Sequence, residues 1–139
     1  MRLMVFVKAT EDSENGVMPS TKDLEDMGAF NEELVKAGVM LDGDGLRPSK
    51  DGVRVSYTDG AGPSVTDGPF AETKELVAGY WVWEVRDLEE AVEWAKRIPF
   101  NHGESVELRP FFEVEDFGDA VTPELEERFE RMREDIGTE

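Results

Sequence analysis

The segment Leu76–Val85 is apolar on both of its alternating faces, and this feature constrains the fold more than any other. Successive side chains of a β-strand point to opposite sides of a sheet. One side of this segment would carry Val77, Gly79, Trp81, Trp83 and Val85, and the other Ala78, Tyr80, Val82 and Glu84. Residues 2–8 show the same two-sided pattern. A sheet built on these two strands must be covered on both faces, because wet apolar faces of this size are unfavourable.

Three helices are predicted from capping residues and apolar spacing. The first begins near Ser20, carries an apolar stripe at three- and four-residue intervals, and ends at Gly38. The second begins at Asp87, which has a glutamate three residues later, and ends before Pro99. The third begins at Thr122, which is followed by proline at the first helical position.

The remaining strands complete the expected fold. They are a short extended segment at 39–41, a half-exposed hairpin at 53–58 and 64–66, and a last strand at 106–114. This order predicts an α+β, ferredoxin-like sandwich: an antiparallel four-stranded sheet with a hairpin insertion and two helices on one face. We assign residues 1–116 to this domain and 117–139 to an acidic C-terminal helical extension.

The second sheet face predicts a homodimer. In a sandwich of this type both helices pack on one face, which leaves the other apolar face open. The simplest cover is a second copy of the chain, sheet against sheet around a two-fold axis. The alternative is that the C-terminal helix folds back over this face, or clasps the partner subunit.

The net charge of the chain restricts the kinds of molecule that it is expected to bind. The chain has 33 acidic and 15 basic residues, a net charge of −18, and half of this excess lies in Glu104–Glu139. Such a charge disfavours nucleic-acid and anionic-membrane binding. It fits a solvated acidic surface, adaptation to high salt, or docking of a basic partner. The sequence lacks cysteine and any apolar run long enough to span a membrane, so we expect a cytoplasmic protein.

The tetrad Asp67-Gly68-Pro69-Phe70 is a compact turn motif. Asp67 can accept local N–H bonds, the glycine and proline shape the turn, and Phe70 can plug the core below. The same loop carries Glu72, Lys74 and Glu75 ahead of the buried strand. A carboxylate near apolar walls could act as an acid or base, so Asp67 and Glu72 are candidate catalytic residues. Lys74 is a candidate anchor for an anionic ligand.

Two strand residues complete the candidate site. Tyr80 and Arg109 are candidate ligand-binding residues, and Arg109 could anchor a carboxylate. Each also has a structural interpretation, as a satisfied core tyrosine and as the partner of an acid. The only histidine, His102, is typical of a turn and cannot form a histidine-rich metal site. We expect neither a metal nor a cofactor, although Asp42-Gly43-Asp44 leaves a weak hard-cation site open.

The block Val65–Glu75, followed by Ala78-Gly79-Tyr80, resembles the signature of the YCII-related, or DGPF, family. The resemblance covers roughly Met1 to Phe112 and implies a dimeric α+β barrel. It does not imply one activity, because proteins of this fold include small monooxygenases, dehalogenase-like enzymes and muconolactone isomerases. Some DGPF proteins accompany extracytoplasmic-function sigma factors. The YCII branch has a suspected His–Asp pair with an early histidine, which this sequence lacks.

Three functions remain open. The first is a small-molecule-binding homodimer with a polar cleft near the DGPF loop, whose ligand is small and anionic or polar. The second is a cofactor-free enzyme, such as an isomerase, hydrolase or lyase, that uses a loop carboxylate. The third is a protein-interaction accessory domain that uses the acidic C-terminal helix and is linked to sigma-factor regulation.

Overall fold

The computed structural model describes residues 1–100 and 103–137. Within these residues the strands are β1 (Arg2–Lys8), β2 (Met40–Gly45), β3 (Val53–Thr58), β4 (Gly62–Asp67), β5 (Val77–Glu84) and β6 (Val106–Pro110). The helices are α1 (Glu11–Glu14), α2 (Thr21–Lys36), α3 (Leu88–Ala95) and α4 (Pro123–Asp135). His102 lies outside the described residues.

Strands β2, β5, β1 and β6 form one four-stranded sheet in that order, and all neighbours are antiparallel. This is the order that β-α-β repeats produce in a ferredoxin-like sandwich, so the predicted fold class is confirmed. The two-sided strand β5 lies between β1 and β2, in the interior of the sheet.

The hydrophobic core lies on the helix-covered face of this sheet. Leu3 pairs with Trp83, and Val5 pairs with Trp81, so the two strands present these side chains to the same side. Phe30 and Leu34 of α2, Ala91 of α3 and Ile98 pack against them. Burial of one such side chain contributes about 2 kcal/mol of transfer free energy, so this cluster is the main source of stability.

The predicted caps begin the helices. The Ser20 side chain accepts from the Asp23 N–H, and the Asp23 carboxylate accepts from the Ser20 N–H, which forms a reciprocal capping box. Gly38 adopts a positive φ of 74° just after α2. Asp87 caps α3, and Thr122 caps α4 ahead of the first-turn proline. Helix α3 ends at Ala95, before the proline that was expected to end it.

The hairpin differs from the prediction of a half-exposed strand pair. Strands β3 and β4 form a separate two-stranded sheet, and every one of their residues is exposed. Tyr57 is 81% exposed. The alternation that predicted one buried face is present, but no element of the described chain packs on that face closely enough to bury it.

Three further differences concern local elements. Helix α1 was not predicted; it forms because the Thr10 and Ser13 side chains each accept from the other residue's backbone N–H. The last strand ends at Pro110 instead of continuing to 114, and Phe112 is 71% exposed. Leu24 lies on the apolar stripe of α2 but is 60% exposed, whereas Phe30 and Leu34 of this helix are buried.

The second face of the sheet carries a half-buried apolar row. Met4 and Phe6 of β1 lie beside Val82 and Tyr80 of β5. Ile136, which follows the last residue of α4, is 73% exposed. Among the described residues no helix is long and apolar enough to cross a membrane.

Candidate functional site

Three glycines at one end of the sheet leave space beneath helix α2. Gly45 of β2 pairs with Gly79 of β5, and Gly43 pairs with Trp81. A Cβ atom at Gly43 would lie 2.8 Å from Trp81 Cδ1, and one at Gly79 would lie 3.1 Å from the Asp44 carbonyl oxygen. A Cβ atom at Gly45 would meet nothing within 4 Å. Gly45 therefore faces open space.

This space is a cavity of about 230 Å³. Its apolar walls are the side chains of Val7, Met27, Met40, Trp81 and Phe100. These groups come from both core strands, helix α2 and the segment after α3, so the whole sandwich positions them. A small, largely apolar concavity with few polar groups is the usual form of a small-molecule site.

One polar side chain of the cavity is held in a defined orientation. The indole Nε1–H of Trp81 donates to Asn31 Oδ1 at 2.9 Å. Asn31 lies on α2 and is half-buried at the cavity wall. Because the indole nitrogen is only a donor, it must bond the amide oxygen, which leaves the amide NH₂ group available to another acceptor.

A second cavity of about 390 Å³ adjoins the first. The two share Val7, Met27, Ala78 and Phe100 as walls. The second cavity is more polar and is also lined by Lys8, Asp12, Ser13 and Asp23, among others. Together the cavities form a crevice between α2 and the end of the sheet, which we call the α2 crevice.

The DGPF segment packs against the short turn at 49–51. The Gly68 N–H donates to the Gly52 carbonyl at 3.0 Å, and the Phe70 N–H donates to Ser49 Oγ at 3.0 Å. The Arg54 guanidinium lies 3.8 Å from the centre of the Phe70 ring. A Cβ atom at Gly68 would lie 1.7 Å from the Ser49 carbonyl oxygen, so the contact requires glycine.

Ser49 links this segment to the α2 crevice. Its N–H donates to Glu14 Oε2 at 2.9 Å, and its hydroxyl donates to Glu14 Oε1. Glu14 is the last residue of α1, whose Asp12 and Ser13 line the second cavity. The motif therefore fixes one wall of the crevice through two hydrogen-bonded side chains without entering it.

The loop residues predicted as a site do not line either cavity in the described part of the chain. Asp67, Glu72 and Lys74 are all exposed. Tyr80 contributes to the wall of the first cavity, although strand alternation directs its side chain to the second sheet face. Arg109 is also on that second face, and its guanidinium Nη1 lies 3.7 Å from Glu107 Oε2. Of the residues that line the crevice, sequence reasoning selected Tyr80 as a ligand-binding candidate and Gly43 and Asp44 as part of a weak cation site. It did not select Trp81, Asn31 or the apolar walls as a site.

Two acidic side chains surround the Tyr80 hydroxyl. The hydroxyl donates to Asp42 Oδ2 at 3.3 Å. The Asp42 carboxylate raises the pKa of Tyr80 above its usual range, and Asp44 adds to the effect, because both disfavour a second negative charge.

We expect Asp42→Asn to lower the Tyr80 pKa toward the ordinary tyrosine value, since it removes the larger repulsion. The measurement is an alkaline titration of tyrosinate absorbance in a Tyr57→Phe background, which leaves Tyr80 as the sole tyrosine. An unchanged midpoint in the Asp42→Asn variant would show that the two side chains are not neighbours in solution.

Two known proteins illustrate the range of similarity. An uncharacterized protein of Rhizobium meliloti (strain 1021) is 31% identical over 75 residues, which are 54% of this chain and 60% of that protein. The match thus spans less than two thirds of the relative's length. The structure of 5-chloro-2-hydroxyhydroquinone dehydrochlorinase from Burkholderia phenoliruptrix, in complex with 2,5-dihydroxybenzoquinone, has a TM-score of 0.39 and 14% identity. That alignment covers 86% of this chain and 100% of the other.

A family model decides the classification. The model of the YCII-related domain matches residues 1–115. The matched part contains the complete four-stranded sheet, the DGPF segment and the residues that line the α2 crevice. The resemblance noted in the sequence is confirmed, and the chain belongs to the YCII-related domain family.

Proposed function

We propose that this protein is a homodimer that binds a small molecule in the α2 crevice. The observation that carries this proposal is the glycine-bearing end of the sheet, where the side-chain-free positions Gly43, Gly45 and Gly79 face helix α2. Glycine within a strand weakens it, and a common reason for its presence is the close approach of another group. At Gly43 and Gly79 the approaching groups belong to the protein itself, whereas the space at Gly45 is open. In this proposal a ligand occupies that open space.

The arrangement favours binding over acid–base catalysis by the loop carboxylates. Asp67 and Glu72 are exposed, so neither carboxylate is held against the apolar walls that acid–base catalysis by this loop would require. The DGPF segment supports the crevice through Ser49 and Glu14 instead. In this proposal the motif determines the shape of the binding site, and the chemistry of binding belongs to the crevice walls.

Filling the crevice should abolish ligand binding without unfolding the protein. The Gly45→Val side chain would project into open space, so we expect stability within about 1 kcal/mol of the wild type and loss of ligand. Native mass spectrometry of the purified protein, followed by mass spectrometry of a denatured extract, would detect a co-purified small molecule in the wild type. Its retention in Gly45→Val would contradict the assignment.

Two companion variants locate the site. Ser56→Val places the same valine side chain on an exposed strand outside both cavities and should retain the ligand. The double variant Asp67→Asn, Glu72→Gln tests the loop directly. If this double variant loses the ligand while Gly45→Val keeps it, the binding site is the DGPF loop and not the crevice.

The second face of the sheet supports the proposed homodimer. Phe6, Tyr80 and Val82 lie there beside each other, and the helices that cover the core are on the opposite side. The exposed β3–β4 hairpin adds a second reason, because a two-stranded sheet without packing partners is marginally stable. A second copy of the chain would cover apolar surface on both elements.

Dimer affinity should increase with salt. Each chain carries a net charge of −18, so two subunits repel each other at low ionic strength. Raising NaCl from about 0.1 M to about 1 M shortens the Debye length from about 10 Å to about 3 Å and removes most of this repulsion. We expect light scattering to give a dissociation constant at least tenfold lower at the higher salt. A monomer at both salt concentrations would contradict the dimer.

A further inference from the structure

The α2 crevice should prefer one chemical class of ligand, and this preference follows from the groups that line its first cavity. The only charged residue among the described residues that line this 230 Å³ cavity is Asp44. Asp44 pairs with Tyr80 and alternates along β2 with Gly43 and Gly45. Strand alternation therefore places the Asp44 carboxylate on the second face of the sheet, with the Tyr80 side chain.

Asn31 is the polar side chain that remains in this cavity. Its amide oxygen accepts the Trp81 indole N–H at 2.9 Å, which leaves the two N–H donors of the amide group. The bond also fixes the rotation of the amide, because the reversed orientation would bring two donors together. The first cavity thus offers one oriented amide NH₂ group among the apolar side chains of Val7, Met27 and Phe100.

We infer that the ligand of the first cavity is a small neutral molecule with an apolar body and a carbonyl-type acceptor, and that Asn31 is the residue that selects it. This inference rests on the proposed function. The acceptor meets the Asn31 Nδ2–H group, and the apolar body lies over the glycine end of the sheet against Trp81.

Both kinds of charged ligand fit this cavity less well. An anion would leave water for a cavity that no cationic side chain of the described residues lines, in a chain with a net charge of −18. A cation without an acceptor could bond only the remaining lone pair of Asn31 Oδ1, which would leave the amide N–H donors unpaired and its charge without a carboxylate partner. A neutral ligand with an acceptor would pair with the Asn31 amide NH₂ group and would bring no unpaired charge into the cavity.

Three isosteric probes test this preference: benzamide, benzoate and benzamidinium. They share one shape and differ in charge, and only benzamide combines neutrality with an acceptor. Isothermal titration calorimetry of the folded protein should give benzamide an affinity at least about tenfold higher than either charged probe, since an unpaired polar group opposes binding strongly. Tryptophan fluorescence provides a second readout, because Trp81 lines the cavity.

The variant Asn31→Asp separates selection from structural support. It retains an oxygen for the Trp81 indole and replaces the amide donor with a negatively charged acceptor. We expect the preference to reverse, with benzamide weakened at least about tenfold and benzamidinium becoming the tightest probe. The matched control Asn15→Asp makes the same change outside both cavities and should keep the wild-type order.

The outcomes distinguish this inference from the proposed function. Benzoate binding as tightly as benzamide, or an unchanged order in Asn31→Asp, would overturn the inference while the crevice remains a binding site. If none of the three probes binds the wild type at millimolar concentration and none protects it against heat, both the inference and the proposed crevice fail. Binding that survives Gly45→Val would place the probes elsewhere and would also overturn the inference.

Discussion

Replacing Gly68 with alanine is expected to lower the free energy of unfolding by about 3 kcal/mol, because the new methyl group would overlap the backbone of another segment. The added Cβ atom would lie 1.7 Å from the Ser49 carbonyl oxygen and 2.6 Å from its carbonyl carbon. Backbone cannot rotate aside as a side chain can. The segments must separate, which breaks the Phe70–Ser49 hydrogen bond and loosens the Glu14 contact.

Gly28→Ala is the matched control for this substitution. Gly28 is exposed within helix α2, and a Cβ atom there would meet nothing within 4 Å. The same change should therefore stabilise the protein by about 0.5–1 kcal/mol through helix propensity and a less flexible unfolded chain. Urea denaturation of both variants measures the contrast. A Gly68→Ala protein as stable as the wild type would contradict the close packing of the DGPF segment.

Truncating Trp83 to alanine is the second change with a large expected effect, a loss of about 4 kcal/mol. Its side chain is fully buried, pairs across the strands with Leu3, and lies with its ring 5.8 Å from that of Trp81. Removing it would leave a cavity in the centre of the core. Trp81, on which Phe30 packs in a T-shaped arrangement, would lose its ring contact with Trp83.

Trp83→Phe separates volume from polarity at this position. The indole Nε1 of Trp83 is buried and has no hydrogen-bond partner among residues 1–100 and 103–137. Phenylalanine removes this unsatisfied donor while it retains most of the apolar area, so we expect a loss of no more than about 1 kcal/mol. Equal destabilisation by the alanine and phenylalanine variants would mean that the indole nitrogen, and not core volume, stabilises the fold. Thermal and urea denaturation provide the measurement.

The sheet could be predicted from the sequence because its signals are local and repeated. The two-sided apolar pattern of residues 76–85 identified the central strand, and the caps at Ser20, Asp87 and Thr122 placed three helix starts. Each of these signals depends on a few neighbouring residues. The exposed hairpin was misjudged because alternation reports which side chains share a face, and not whether another element covers it.

The crevice could not be predicted in the same way, since it depends on register between distant strands. Gly45 and Gly79 become neighbours only when β2 pairs with β5. The sequence did contain one signal of this site. Glycine alternates with aspartate in residues 42–45, and Gly79 precedes the two tryptophans of β5. Asp67 and Glu72 were predicted as catalytic residues because several charged residues lie close together in this part of the sequence. In the structure both side chains are exposed.

The most direct test of the binding site is a crystal structure of the protein grown with benzamide. The proposal predicts the probe in the cavity beneath α2, with its carbonyl oxygen within hydrogen-bonding distance of Asn31 Nδ2 and its ring beside Gly45 and Trp81. A cavity that contains only solvent, with benzamide bound at the DGPF loop or on the protein surface, would contradict it.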